Sequence, residues 1–580
     1  MTLFRVWAPL AQREVVLRLD EEALAMDRDE AGWWQLDVPK AAPGLDYGFL
    51  IDGQGPFPDP RSPWQPRGID GPSRTVDHAA FDWQHDHWDL SPLGEAILYE
   101  LHIGTFTPAG TFDSAIQKLG YLVDLGITHV ELMPVAEFSG TRGWGYDGVD
   151  LYAPHHAYGG PDGLKRLVDA CHARGLGVIL DVVYNHLGPA GNYLGRFGPY
   201  FTDKYSTPWG SAVNFDDWGS DESRRFFIDN ALTWLRDYRI DGLRLDAVHA
   251  ILDTSAVHFL EQLAAEAHDL SDKTGRRYEV IAESSLNDPR PVWPVARGGF
   301  GLEATWNDDL HHALHCLLTG EDAGYYADFG SVSDLASALR DVYVYAGRFS
   351  KYRGRRHGRP ARDVSAHNFV TFSQNHDQVG NRAAGERLSQ LAGMGAAKLA
   401  AMLTLVAPTV PLLFMGEEWA ATAPFQYFTD HADPDLAAAV TRGRTHEFEA
   451  FGWAPSQVPD PQARQTFERS RLDWDEAQRE PHASMLGFYR RLIALRRSSR
   501  DLTHPDLSRV EVAFDEAGRW LTLQRGSIIL AASFKDVAQR MPLPRPAQSL
   551  ILATDDSARL DAAGAQLPPV SAALFRHLPA

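Results

Sequence analysis

Residues 97–134 read ILYELHIGTFTPAGTFDSAIQKLGYLVDLGITHVELMP. The stretch opens with a short apolar run, ILYELHI (97–103). A helix-like segment follows, started by Asp113, with Ile116, Leu119 and Leu122 on one face. It closes on a second apolar run, THVELMP (128–134). Run, periodic segment and run make a strand–helix–strand unit, and the unit repeats along the chain. Leu164, Leu167, Val168 and Cys171 mark an amphipathic helix that ends at Gly175, before GVILDVV (177–183). A helix capped by Asp221 and carrying Phe227, Ala231 and Leu235 precedes IDGLRLD (240–246). EVIAES (279–284), GLEATWN (301–307), NFVTFSQN (368–375) and VPLLFMG (410–416) complete a set of eight. Eight apolar strands alternating with helices predict an α/β fold, a (β/α)8 or TIM barrel. A doubly wound sheet would want a glycine-rich phosphate loop after the first strand, and ELHIGTF supplies none.

Either side of this rhythm the pattern changes to period two. Phe4 and Val6, then Val15, Leu17 and Leu19, alternate with polar neighbours, and GWWQLDV and DYGFLID flank a Pro43-Gly44 turn. Residues 1–90 therefore read as an N-terminal β-sandwich of carbohydrate-binding-module type, with GPFPDPRSPWQPRGIDGPS crossing to the next unit. Residues 91–500 read as the barrel, with excursions at about 187–220 and 419–482. VEVAF (510–514), RWLTLQ (519–524) and SIILAASF (527–534) place a small C-terminal β domain in 501–580.

The 580 residues carry 77 acidic against 55 basic side chains, a net charge of −22, which argues against nucleic acid or an anionic membrane as partner. With 44% hydrophobic and 23% charged residues the composition is globular. Two cysteines, Cys171 and Cys316, exclude a disulfide framework and a cysteine-rich zinc module. The start, MTLFRVWAPLAQREVV, lacks a basic stretch followed by an apolar core, and Pro408 and Pro411 interrupt the apolar run at 399–415. The expectation is a soluble, cytoplasmic protein. The 16 tryptophans could line a sugar site, although core packing is the commoner use of any one of them.

Chemistry in such a barrel sits at the carboxyl ends of the strands. Those ends offer Asp181, with Asn185 and His186 just beyond; Arg244-Leu245-Asp246; Glu283; and Asn375-His376-Asp377. Retaining glycosidic cleavage needs one ionised carboxylate as nucleophile and a second, protonated one as donor to the leaving oxygen. Arg244, two residues back on the same strand face, can hold Asp246 as its anion. Burial and nearby negative charge would keep Glu283 protonated. Asp377 can bind hydroxyls and favour the positive charge developing at the anomeric carbon. A metal hydrolase could recruit Asp181, His186, Asp246, His249 and Glu283, but the first strand lacks H-x-H and Arg244 would repel a cation.

DVVYNH (181–186), GLRLDAVH (242–249), IAES (281–284) and SQNHD (373–377) resemble, in order, the four sequence blocks of the α-amylase family. The resemblance implies Asp246 as nucleophile, Glu283 as acid/base and Asp377 as transition-state stabiliser. It implies Arg244, His186 and His376 around the attacked sugar, with Tyr146 of WGYDG (144–148) stacked beneath it. The N-terminal β domain with PDPRSPWQP and GPS points to the subgroup of branching and debranching enzymes. ELMPVAEFSGTRGWGYDGV (131–149), WNDDLHHALH (306–315) and LLFMGEEWAATAPFQYFTDH (412–431) are similar to members that hydrolyse the α-1,4 bond next to the terminal trehalose of a malto-oligosyltrehalose. In place of the Lys-His pair of ordinary α-amylases stands His249-Ala250, which implies different leaving-group subsites. The sugar-binding residues so implied are His249, Asn307, Asp308, Asp309 and His311, with Gln378 and Asn381 after the fourth block.

The resembled subgroup generally lacks the calcium of ordinary α-amylases, and Asp203, Asp216 and Asp217 read as solvated loop acids, so no metal and no cofactor is expected. Two alternatives stay open. A 1,4-α-glucan branching enzyme shares the three acids and differs in its acceptor. A catalytically silent glycan-binding protein would share only the scaffold. Oligomeric state is not readable, since no heptad seam stands out.

Overall fold

Leu98–Leu101 (β1), His129–Leu132 (β2), Gly177–Val182 (β3), Gly242–Leu245 (β4), Glu279–Ala282 (β5), Ala304–Trp306 (β6), Phe369–Phe372 (β7) and Val410–Phe414 (β8) pair in parallel in that order. The barrel closes where β8 bonds β1. These are the eight apolar runs, so the expected (β/α)8 barrel is the fold. The computed structural model describes residues 2–39, 42–88, 90–449, 453–561 and 564–577.

Both faces of every strand are covered, which is why the runs are apolar throughout. Period two still decides which face each side chain takes. Leu98, Ile179, Ile281, Trp306, Phe372 and Leu412 belong to one buried cluster that fills the lumen. Their chain neighbours Tyr99, Leu180, Val280 and Leu413, with Leu101 and Leu245 in the same outward phase, join the larger core under the surrounding helices. Two residues on from the lumen positions 98, 179, 281 and 306 stand Glu100, Asp181, Glu283 and Asp308. The lumen phase thus delivers carboxylates to the mouth.

The helices depart from expectation in detail. After β1 a single helical turn, Ile103–Phe106, precedes two short helices, Phe112–Ile116 and Leu119–Leu125; Thr111, not Asp113, caps the first of these two through a reciprocal bond with Ser114. Asp221 does not cap its helix. It lies in the first turn of Ser220–Asp237, where its charge meets the helix dipole, and Gly219 (φ +76°) occupies the cap position. The apolar stretch at 399–415 divides into a helix, Gly393–Val406, and β8, as expected. Among the described residues no helix is long and apolar enough to cross a membrane. Cys171 and Cys316 are buried and unpaired.

The excursion after β3 carries a short hairpin, Phe201–Thr207 with Gly210–Val213. Asp216 is not a solvated acid. It accepts from Tyr205 (2.7 Å), Lys204 (3.0 Å) and both the amide and hydroxyl of Thr254 (2.8 and 2.6 Å), and this holds the hairpin to the loop after β4. Asp217 likewise accepts from the Thr202 hydroxyl and the Trp218 amide. The excursion after β8 contains helix Pro434–Glu449. Residues 450–452 of it lie outside the described residues.

The N-terminal strands form two antiparallel sheets. Trp33 and Trp34 are buried, and Trp7 meets Tyr200 edge to face at 5.3 Å. Arg61 reaches Asp229 (2.8 Å) and the Tyr152 hydroxyl (2.9 Å), so these sheets bear directly on the barrel. At the other end, strands Val510–Asp515, Trp520–Arg525, Ile528–Ser533 and Ser571–His577 build an antiparallel sheet, joined by Ala547–Ala553. Glu516 from its first hairpin accepts from the amides of Val332 and Ser333, at the start of helix Val332–Asp341.

Candidate active site

Asp181 of β3 lies in register with Arg244 of β4. One terminal nitrogen of Arg244 donates to both Asp181 oxygens (3.0 and 2.8 Å) and to Asp246 (3.0 Å). The other stands 3.8 Å from Glu283 at the end of β5. The guanidinium is fully buried and rests 4.2 Å over the ring of Trp306, which fixes its plane. Three acids from three strands therefore surround one cation. Burial works against the charge on Arg244, but Asp181 and its neighbours outweigh it and hold the group protonated.

The backbone turns sharply after Asp246. Ala247 sits at φ +39°, in the left-handed region that a side chain disfavours, and its amide donates to Glu283 at 2.5 Å. Asn185 donates to both the carbonyl and the carboxylate of Asp246 (2.8 and 2.7 Å). Asp246 is thus gripped on two sides by donors. Glu283 has the opposite setting. Burial pushes its pKa up, Arg244 opposes this, and the charge of Asp246 adds to the rise. Two carboxyls at one site thus have different surroundings, one held by donors and one raised by burial, the division of labour a glycosidase needs.

The loop after β2 carries Trp144 and Tyr146. Gly145 between them adopts φ +102°, and a Cβ there would fall 2.1 Å from the Pro134 carbonyl, so only glycine lets the loop pass. The Tyr146 hydroxyl donates to Asp181 (2.6 Å) and lies 2.8 Å from Nε2 of His376. The two rings stack at 5.1 Å. His376 Nε2 is also 3.5 Å from Asp377. His186 contacts Asn185 through Nδ1 and the Tyr146 carbonyl through Nε2 (3.1 Å), under the exposed ring of Trp209 stacked at 4.7 Å.

Around this centre the implied sugar-binding residues divide. Asn381 donates to Asp377 (3.1 Å), and Gln378 to Asp308 (3.2 Å). Asp308 has its pKa pushed up to about 8, by burial first and then by Glu283 and Asp377. His249 is half-buried and lines a cavity of about 300 Å3 with Tyr205, Leu286 and Phe300, next to Ser284. Asn307, Asp309 and His311 do not face the cleft. Asn307 donates to the Val342 carbonyl (2.8 Å), Asp309 accepts from the amides of Val344 and Tyr345, and His311 joins the Ser373 carbonyl and Tyr326. Their polar atoms are consumed in bracing the loop and helix after β6.

Three contributors were not singled out from sequence: Trp306 beneath Arg244, Trp209 over His186, and Glu100. Glu100 accepts from the backbone amide of His376 (2.9 Å) and also meets its Nδ1. An acid in the middle of an otherwise apolar strand was the available signal. Among the described residues one group has metal-ligating spacing away from the mouth, Glu137 with His155 and His156. There Glu137 stands 3.1 and 2.7 Å from the two Nδ1 atoms and also accepts from the His156 amide.

A closed eight-stranded cylinder with this arrangement at its mouth defines the α-amylase class of glycoside-hydrolase barrels. The model of the α-amylase catalytic domain matches residues 77–204. The chain is 50% identical to the malto-oligosyltrehalose trehalohydrolase of Rhizobium sp. (strain M-11), covering 99% of this chain and 97% of that one. It is 51% identical to the protein of that name from Mycobacterium tuberculosis (strain H37Rv), covering 92% of each. A crystal structure described as a putative α-amylase from Salmonella typhimurium superposes with a TM-score of 0.91 at 39% identity, over 99% of this chain and 97% of that one. A 1,4-α-glucan branching enzyme of Pseudoalteromonas atlantica matches at 31%, over 54% of this chain and 50% of its own. The chain belongs to the malto-oligosyltrehalose trehalohydrolase family.

Proposed function

We propose that this protein hydrolyses the α-1,4-glucosidic bond next to the terminal trehalose of malto-oligosyltrehalose, with retention, and releases trehalose. The observation that carries the chemistry is the shared guanidinium: Arg244 bonds Asp181 and Asp246 and lies within 3.8 Å of Glu283. In the first step Asp246 attacks the anomeric carbon while Glu283 gives its proton to the glycosidic oxygen. The C–O bond breaks, trehalose leaves, and a glycosyl ester forms on Asp246. In the second step the Glu283 carboxylate takes a proton from water, the water oxygen bonds the anomeric carbon, and Asp246 departs. Asp377, bonded by Asn381, faces the charge that develops between these states. Tyr146 supplies a ring beside the attacked sugar, braced by His186 at its carbonyl and by His376 at its hydroxyl.

The cavity beside His249 and Ser284 supports the placement of the leaving disaccharide on that side, with Asp308 and Gln378 across the mouth. Asn307, Asp309 and His311 have no part in this assignment. The near full-length relatives favour hydrolysis over branching. The test is the product profile: incubation with malto-oligosyltrehalose should liberate free trehalose, and amylose should gain no branch points. Branches without trehalose would reverse the reading. Glu283→Gln should abolish turnover on malto-oligosyltrehalose, and a retained rate would remove Glu283 from its role.

A further inference from the structure

Glu100 lies within the barrel, at the same level as Glu131 on the neighbouring strand. Its side chain and that of His376 against it are each 1% exposed, so both act from behind the surface of the mouth. Both of its oxygens are committed to one residue: Oε2 accepts from the backbone amide of His376 at 2.9 Å, and Oε1 meets Nδ1 of the same residue. A bidentate grip on amide and ring fixes the imidazole about its first side-chain torsion.

Donor and acceptor accounting then sets the proton positions. The Asp181 carboxylate accepts from Arg244, and the Tyr146 hydroxyl donates its only proton to Asp181 at 2.6 Å. What Tyr146 receives from His376 at 2.8 Å must therefore come from a proton on Nε2. Nδ1 faces the Glu100 carboxylate, which can only accept. His376 thus carries both ring protons, and its Nε2–H points to where Tyr146 and Asp377 meet the mouth. The surroundings agree: burial opposes the charge on His376, yet Asp377 and Glu100 overcome it and push its pKa up to about 9. The other groups that face the ring are Arg244 of β4, Asp181 of β3, Glu131 of β2, His102 after β1, and Tyr146.

We propose that Glu100 is a positioning residue of the reaction, holding His376 doubly protonated and aimed so that its Nε2–H is given to the Tyr146 hydroxyl and keeps the Tyr146–Asp181–Arg244 chain in one direction beside the attacked sugar. This rests on the reading of the mouth as a site of glucoside cleavage. Through Glu100 and His376 the fold reaches the Tyr146 hydroxyl from within the lumen.

The test is a double-substitution cycle on the full-length protein, with Glu100→Gln, His376→Ala and the pair, assayed on malto-oligosyltrehalose and in parallel on maltoheptaose. Glu100→Gln should lower kcat about 10²-fold with little change in KM. In the His376→Ala background the same change should cost less than about twofold, because its only route of action is gone. Glu100→Asp should restore part of the loss. Additive losses, or a Glu100→Gln rate near wild type, would overturn the proposal. If Glu100→Gln fails to fold, the cycle is run with Glu100→Asp, whose loss should also vanish in the His376→Ala background. Failure of the wild type to release trehalose counts against the substrate reading alone, since the cycle can still be read on maltoheptaose.

Discussion

Two arginines of this protein are equally buried and are used in opposite ways. Arg244, at the mouth of the barrel, is balanced by charge, with Asp181, Asp246 and Glu283 around it. Arg496, on helix His482–Ser498 near the start of β8, is balanced by dipoles: it donates to the carbonyls of Leu405, Ala407 and Thr409 at 2.7–2.8 Å. Arg525 does the same for Val406, Ala407, Leu502 and His504. The electrostatics follow. Burial drives the pKa of Arg496 down to about 9, with the charge of Arg525 adding to the fall, whereas that of Arg244 is held up by its acids. At the base of the barrel a guanidinium terminates helix Gly393–Val406 and the turn into β8. At the mouth it sets the ionisation of the groups that react.

Arg244→Met should break the first arrangement. Removing the cation leaves three acids facing one another, and kcat/KM should fall about 10³-fold in a steady-state assay of trehalose release. Arg496→Met should break the second without touching the chemistry. The Leu405 and Thr409 carbonyls lose this donor and Ala407 keeps only Arg525, and denaturant unfolding should show a loss of about 3 kcal/mol while kcat of the folded enzyme is unchanged. If Arg496→Met matched Arg244→Met in kinetics, the contrast would fail.

A smaller version of the same contrast lies in two adjacent residues. Asp309→Ala frees the amides of Val344 and Tyr345 and should cost about 2 kcal/mol in unfolding with little effect on rate. Asp308→Asn, next to Gln378, should alter KM and leave stability alone.

The finest test is pH. The acid Glu283 must be protonated to donate, so activity is present below its raised pKa and is lost as pH rises through it. The charge of His249 lowers that pKa. His249→Gln should therefore move the basic limb of the kcat/KM profile to higher pH, and a move to lower pH would contradict the assignment.

Asp308 and Asp309 also show what was legible in the sequence. The strands were readable because burial on both faces makes them apolar runs, and the acids were readable because they follow those runs. WNDDLHH gave no such guide. Beyond β6 the period-two alternation continues for one or two residues: Trp306 and Asp308 share the inner side, while Asn307 and Asp309 turn to the backbone at 342–345. A helix then starts at Asp309 and carries His311 towards Tyr326. Where a strand hands over to a helix the phase changes, and composition does not mark the residue at which it does. Glu100 was overlooked for the converse reason. Its strand reads as apolar filling, although burying a carboxylate inside a barrel is costly without a partner. The cap at Thr111 is encoded locally, in the Thr-x-x-Ser spacing to Ser114, whereas the burial of Asp216 rests on contacts to distant neighbours, which no local pattern encodes.

The central claim is that Asp246 forms a covalent bond to the sugar while Glu283 manages the proton. It is tested most directly by trapping. Glu283→Gln enzyme mixed with α-maltosyl fluoride, whose leaving group needs no acid, should accumulate a glycosyl ester, because the base for the second step is missing. Mass spectrometry of the digested protein should find one maltosyl unit on Asp246. A label on another residue, or release of β-maltose with no label at all, would contradict the double displacement.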